Sequence, residues 1–366
     1  MKVIANDWIN HLSPYEAGKP ISELAREFGL QEENIIKLAS NENPLGFSEL
    51  AKQAISSELA EIARYPDGAA FALKQALVEH LSAHQINASQ ITLGNGSNDI
   101  LDLIARIFLR PGTNAIFSAH AFIVYKLATI TAGAEAREVA AQNYAHDLTA
   151  IIKTIDINTK VIFLANPNNP TGTCFTQREL QSFLAQIPAH ILVVLDEAYF
   201  EYADPKLATN GMQLVHQYPN LVVVRTFSKA YGLAGLRVGY AVAHPEITNL
   251  LNKARQPFNV NSLAQIAAVY ALKDQDFIKN GITLNHKGMQ QIIAGIAKLD
   301  LDYLPSQGNF LAIKFAQDTS QINLELLRRG VIVRPIAGYQ MPEFLRVSIG
   351  TEAENQQFLQ TLTAIL

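Results

Sequence analysis

The chain has 366 residues, 49% hydrophobic and 17% charged, with a net charge of −4. That length outgrows one small core and predicts two units, while the near-neutral balance, with no dense Lys/Arg cluster, argues against a nucleic-acid partner. The longest apolar runs, such as VIFLA (161–165) and ILVVL (191–195), fall far short of the ~20 residues that cross a bilayer, and an N-terminus without an apolar signal stretch, together with Cys174 as the single cysteine, predicts a cytoplasmic protein that forms no disulfide and has no membrane partner.

Residues 1–45 carry little sheet pattern and are expected to pack on the C-terminal unit or against a partner. ITLGNGSNDILDLIARIFLR (91–110) reads as a short strand, a glycine turn and a helix whose Ile100, Ile104, Ile107 and Phe108 recur at helical spacing. AIFSAH (115–120), VIFLAN (161–166), ILVVLDEAY (191–199) and LVVVRTFSK (221–229) follow, separated by helical stretches such as TQRELQSFLAQI (176–187). These strands are apolar almost throughout, the pattern of a sheet covered on both faces. The fold class is α/β with a mostly parallel central sheet, and its functional residues belong at the C-terminal ends of the strands. After residue 258 the texture changes to a long helical stretch from Asn261 through the 290s, then NFLAIKF (309–315), VIVRP (331–335), LRVSIG (345–350) and a last amphipathic helix. The expected division is an N-terminal segment (1–45), a large unit (46–258) and a small α+β unit (259–366).

Chemistry-bearing residues gather at the strand ends. GNGSND (94–99) opens a helix at Ser97; free N–H groups at a helix start suit an anion, although Ser97 and Asn98 would also serve a plain cap. NPNNPTG (166–172) is a rigid turn that would hold Asn169 against a ligand, with a cis bond expected at Asn169–Pro170. Asp196 in DEAY (196–199) is either a helix cap or a buried carboxylate that needs a cation. FSKAYGLAGLRVGYA (227–241) places Lys229, Ser228 and Arg237 after a buried strand, beside Thr226; a solvated lysine at a strand end is the plain alternative. Together these parts describe one ligand. Its phosphate would meet Ser97, Asn98, Ser228 and Arg237, its cationic ring nitrogen Asp196, its ring oxygen Asn169 and Tyr199, and its aldehyde Lys229. That ligand is pyridoxal 5′-phosphate.

The chain strongly resembles the fold-type-I pyridoxal-phosphate-dependent aminotransferases, and within them the histidinol-phosphate aminotransferase family. The resemblance runs through SPYEAGKP (13–20), KLASNENPLG (37–46), RYPDG (64–68), GNGSND, NPNNPTG, DEAYFEY (196–202), SKAYGLAGLRVGY (228–240), SQGNF (306–310) and LRVSIGT (345–351). It implies that Lys229 bonds the cofactor's aldehyde, that Asp196 meets the pyridine nitrogen, and that Tyr199 and Asn169 meet the ring oxygen. Ser97, Asn98, Thr226, Ser228 and Arg237 match the phosphate cradle, and Phe122 the aromatic that stacks on the ring. Tyr65 matches a tyrosine that reaches the neighbouring subunit's cofactor phosphate, which implies a homodimer with shared active sites. Arg346 matches the arginine gripping the substrate's anionic end, and Tyr15, Asn43 and Arg334 match further substrate contacts. One departure stands before Phe122: His120-Ala121 replaces the family's common Pro-Thr or Tyr-Ala pair.

The implied reaction is transamination in two half-reactions, from imidazole acetol phosphate and L-glutamate to L-histidinol phosphate and 2-oxoglutarate, in histidine synthesis. Aromatic amino-acid aminotransferases share the cofactor residues, and phosphothreonine-type decarboxylases share the fold, so both remain alternatives. His80 and His84 are four residues apart, but no third ligand accompanies them, so no metal site is expected.

Overall fold

The computed structural model describes residues 4–12, 14 and 18–366. At its centre is a seven-stranded sheet in the order Ile91–Gly94, Gly239–Val242, Leu221–Thr226, Leu192–Asp196, Thr159–Ala165, Asn114–Ser118, Glu135–Val139. Gly239–Val242 is antiparallel to both its neighbours, and the remaining pairs are parallel. Two of these strands are not flagged by the apolar-run pattern: Gly239–Val242 is short and glycine-bearing, and Glu135–Val139 (EAREV) is a polar edge strand.

Period-two alternation explains how the sheet builds two cores. Ile162, Leu164, Val193, Leu195 and Val223 face one side, while Val161, Phe163, Val194, Val222 and Val224 face the other. Helices Phe71–His80, Gln177–Leu184 and Ser262–Lys273 cover the first side. Ser97–Phe108, Val124–Thr131 and Pro245–Ala254 cover the second. Wholly burying a residue such as Phe163 or Leu195 contributes roughly 1.5–3 kcal/mol, so the strand ends stand on a stiff platform.

A four-stranded antiparallel sheet, Arg334–Pro335, Phe344–Ser348, Phe310–Lys314 and Asp302–Leu304, forms the second centre. Ile292, Ile296, Leu311, Ile313, Leu345, Val347 and Phe358 make its core. Ile36–Lys37 pairs in parallel with Val331–Ile332, and Ile36 and Leu38 enter the same core. This is how the N-terminal segment is tied to the C-terminal unit.

The helical stretch after Asn261 differs from the sequence expectation in two ways. It is two helices, Ser262–Lys273 and Gln275–Ala297, because Asp274 caps the second by accepting from Phe277 N (3.1 Å). The first helix also belongs with the larger sheet rather than the smaller one. Its small face of Ala264, Ala267, Ala268 and Ala271 lets it lie close in that core, which Ile278 of the second helix also enters. The bond expected to be cis at Asn169–Pro170 is cis, and so is Asn166–Pro167. Among the described residues, no helix is long and apolar enough to cross a membrane and no cluster of metal-ligating side chains occurs.

Candidate active site

The parallel strands share one C-terminal edge, and the loops leaving it enclose a cavity of about 180 Å³. Ser97, Asn98, Phe122, Asn169, Asp196, Tyr199, Thr226, Ser228, Lys229, Arg237, Arg334 and Arg346 all line it. Residues separated by up to 249 positions in the chain are thus brought together, Arg334 and Arg346 coming from the four-stranded sheet.

One end of the cavity is a cradle of donors. Gly96 precedes helix Ser97–Phe108 with φ 83°, and a Cβ there would lie 2.7 Å from Arg237 Nη2. Only glycine therefore allows the guanidinium to lie against the helix start. A Cβ on Gly239 would lie 2.6 Å from Ser97 N, so that glycine lets the next strand pass close by. Thr226 Oγ1 donates to Ser228 Oγ (3.0 Å) and accepts from Ser228 N (3.1 Å), which packs both hydroxyls at the end of Leu221–Thr226. The helix start, two hydroxyls and a guanidinium converge as in an anion site.

Asp196 ends strand Leu192–Asp196 and is 4% exposed. Its Oδ2 accepts from Tyr125 Oη (2.9 Å), while Oδ1 is buried with no hydrogen-bond partner among the described residues. Burial pushes this carboxyl up to about 6, with the Tyr125 bond pulling it back toward the usual carboxylate range. An ionised carboxylate with an orphaned oxygen is suited to a cationic donor.

Lys229 Nζ donates to the carbonyl of Ser40 (3.0 Å). Burial, helped by the nearby Arg346 charge, brings its amine down to about 7, which leaves a nucleophilic population at neutral pH. Tyr199 Oη accepts from Asn41 Nδ2 (2.9 Å), leaving its own proton to donate into the cavity. Burial holds that phenol up at about 12, so it stays a donor. Asn169 Oδ1 accepts from Arg346 Nη1.

Two arginines close the opposite side. Arg334 and Arg346 are register partners on adjacent antiparallel strands, and Arg346 Nη2 also donates to Ala39 O (2.6 Å). Paired guanidinium groups on neighbouring strands form a fork for phosphate or carboxylate. His120 has φ 57° and its Nδ1 donates to Tyr339 O (2.6 Å). The His120-Ala121 departure thus ties the loop before Phe122 to the loop of cavity-lining Tyr339.

Two described residues named from the sequence, Asn43 and Tyr65, do not line this cavity. Asn43 turns away: its Nδ2 donates to Ala230 O (2.9 Å) and its Oδ1 accepts from Leu45 N (3.0 Å), so it fixes the loop, and Asn41 is the asparagine that lines the site. Tyr65 is 82% exposed and stacks on Phe258, with centroids 4.8 Å apart. Tyr15 lies outside the described residues. The residues that sequence reasoning passed over are Asn41, Tyr125 and the carbonyls of Ala39 and Ser40. Asn41 sits inside KLASNENPLG, and Tyr125 lies one helical turn after Phe122.

The arrangement fits pyridoxal phosphate on two observations, the donor cradle at one end and the orphaned Asp196 oxygen at the other, with the Lys229 amine facing the same cavity.

The model for the family "Aminotransferase class I and II" matches residues 33–362. A protein described as histidinol-phosphate aminotransferase 2 from Pseudomonas fluorescens is 54% identical over 99% of this chain and 97% of its own length. One of the same description from Pseudomonas aeruginosa is 55% identical over 99% and 98%. The crystal structure of histidinol-phosphate aminotransferase from Sinorhizobium meliloti, in complex with pyridoxal-5′-phosphate, superposes with a TM-score of 0.90 at 27% identity, covering 99% of this chain and 98% of that one.

Proposed function

Because the chain belongs to the class I and II aminotransferases, and within them to the histidinol-phosphate aminotransferases, we propose that this cavity transaminates imidazole acetol phosphate with L-glutamate, giving L-histidinol phosphate and 2-oxoglutarate. The observation that carries the substrate reading is the Arg334–Arg346 pair. Histidinol phosphate presents a phosphate and glutamate a second carboxylate, and the same guanidinium fork accepts either.

Pyridoxal phosphate is the cofactor; when bound it supplies an aldehyde for an amine and a conjugated ring that takes up the electron pair left at the substrate's α-carbon. Ser97, Asn98, Thr226, Ser228 and Arg237 would hold its phosphate. Phe122 would cover the ring, Tyr199 and Asn169 would meet the ring oxygen, and Asp196 Oδ1 would meet the ring nitrogen. Lys229 would hold the aldehyde carbon. Its Nζ, when free, would take the substrate's α-proton as general base and return it as general acid, a role suited to an amine poised near 7.

The test is the visible absorbance of the holoenzyme. It is expected to fall when histidinol phosphate is added and to recover with 2-oxoglutarate. A response to phenylalanine alone would move the assignment to aromatic amino acids, and release of carbon dioxide without a keto acid would make the protein a decarboxylase. Arg334→Ala is expected to raise KM for histidinol phosphate about 10- to 100-fold, as the loss of a charged hydrogen bond does, with a smaller change in kcat. An unchanged KM would remove Arg334 from the substrate site.

We further assign a homodimer with shared sites. Leu59, Ile62, Tyr65, Phe71 and Phe258 are all exposed, and an apolar patch of that kind marks a protein interface. Tyr65 is the residue that would cross to the partner's phosphate cradle. Chains carrying Tyr65→Phe and chains carrying Lys229→Ala should each bind the cofactor or turn over poorly. Mixed dimers should regain a normal site, because one cavity then holds both native residues. No recovery on mixing would mean that Tyr65 acts within its own chain or not at all. The large cofactor-binding unit is best drawn to about residue 273, with the small unit after it, and the expected compartment is the cytoplasm.

A further inference from the structure

We propose that Tyr125 is a positioning residue for the ring-nitrogen carboxylate: by donating to Asp196 Oδ2 it leaves Oδ1 for the cavity and keeps the carboxyl ionised inside the protein. This rests on the assignment of Asp196 as partner of the cofactor's ring nitrogen.

The phenol is fully buried on helix Val124–Thr131. Its ring lies parallel to Phe163 at 5.0 Å and meets the edge of Phe122 at 5.9 Å and 87°. The backbone beneath it is held as well, with Thr129 Oγ1 donating to Tyr125 O (2.7 Å). These contacts need only a ring; the hydroxyl adds nothing to them. What the hydroxyl has is one acceptor, Asp196 Oδ2 at 2.9 Å. It is the only side chain among the described residues that hydrogen-bonds the carboxylate.

The other charged or titratable groups facing Asp196 are Glu197, next to it on the strand, and Lys229 across the cavity; Tyr199 faces Tyr125 and Asp196 together. Burial and Glu197 work against ionisation, whereas the Tyr125 bond, the backbone N–H of Ala198 and Lys229 favour it. A donor to the charged form of a carboxyl lowers its proton affinity. Removing the hydroxyl must therefore raise it and shift the pH range in which Asp196 is an anion.

The experiment is equilibrium dialysis of pyridoxal phosphate against the full-length apoprotein from pH 5 to 9. Native binding should weaken on the acid side as Asp196 takes up a proton. In Tyr125→Phe that acid limb is expected about one pH unit higher, which is roughly tenfold weaker binding at pH 6, with less than about a threefold change at pH 8.5. Titrations of Lys229 and of the cofactor phosphate are common to both proteins and cancel in the difference. A second protein, with 3-fluorotyrosine at position 125, keeps the ring and hydroxyl but is the stronger donor, and its limb should move to lower pH. An unmoved limb in both proteins, or uniform weakening at every pH, makes Tyr125 a packing residue and overturns the proposal. Asp196→Asn separates the two readings. If it binds like the native protein, the assignment of Asp196 fails; if it loses the acid limb while Tyr125→Phe keeps it, only the role of Tyr125 fails.

Discussion

Replacing Lys229 with alanine is expected to lower kcat on the order of 10⁴-fold while leaving the fold intact, because the variant loses both the covalent hold on the cofactor and the base that moves the α-proton. The native amine adds a second, independent signature. Its proton affinity is brought down to about 7 by burial and the Arg346 charge, so its neutral, nucleophilic form grows as pH rises through 7. Uptake of pyridoxal phosphate by the apoprotein, followed by stopped-flow absorbance, should accelerate across that range. A residual rate within tenfold of the native one in Lys229→Ala, or an uptake rate that rises only above pH 9, would take the chemistry away from this residue.

Replacing Glu197 with alanine should cost about 3–5 kcal/mol of stability, the usual consequence of stranding a buried charge. Glu197 follows Asp196 and is itself wholly buried. Its Oε2 accepts from Arg225 Nε (3.0 Å) and Nη2 (2.8 Å), while Oε1 accepts from Thr209 Oγ1 (3.1 Å) and Gly211 N (2.7 Å). Arg225 also lies 3.5 Å above the Phe200 ring and donates to Asn210 Oδ1 (3.1 Å). The alanine variant leaves that guanidinium in the core without the carboxylate it hydrogen-bonds. Urea denaturation of the apoprotein measures the loss without a contribution from cofactor binding. The paired change Glu197→Leu with Arg225→Met should recover most of it, because apolar groups of similar size replace a buried ion pair at little cost. A loss below about 1 kcal/mol for the single change would show that Arg225 finds water or another acceptor.

The strands were legible because doubly covered parallel strands are written as unbroken apolar runs, as in VIFLA and ILVVL. The proposed polar ligands stood out because they follow those runs at their C-terminal ends: Asp196 after ILVVL, Asn169 after VIFLA, Lys229 after LVVV. What stayed hidden depends on three-dimensional pairing. Arg334 and Arg346 are both named from the sequence, but they are twelve positions apart, and it is strand register that makes them direct neighbours. Tyr125, surrounded by apolar neighbours in its helix, reads as one more core aromatic until Asp196 is placed beneath its hydroxyl. Asn41 and Asn43 are indistinguishable by type; in the structure Asn41, with φ 54°, lines the cavity while Asn43 bonds Ala230 O. The alanine-rich face of helix Ser262–Lys273 does not itself say which sheet it covers; the structure packs it in the core of the larger one.

At Ala39 and Ser40 the N-terminal segment reaches the site through its main chain. Ala39 offers its carbonyl to Arg346, and Ser40 offers its carbonyl to Lys229. Neither contact involves a side chain of the segment. An alanine scan is therefore blind to both positions, since it leaves every carbonyl where it was. The information at 39 and 40 is a path rather than a residue type, held by the pairing of Ile36–Lys37 with Val331–Ile332. Swapping the peptide unit for an ester, or altering the number of residues between that pairing and Asn41, would expose what side-chain replacement leaves silent.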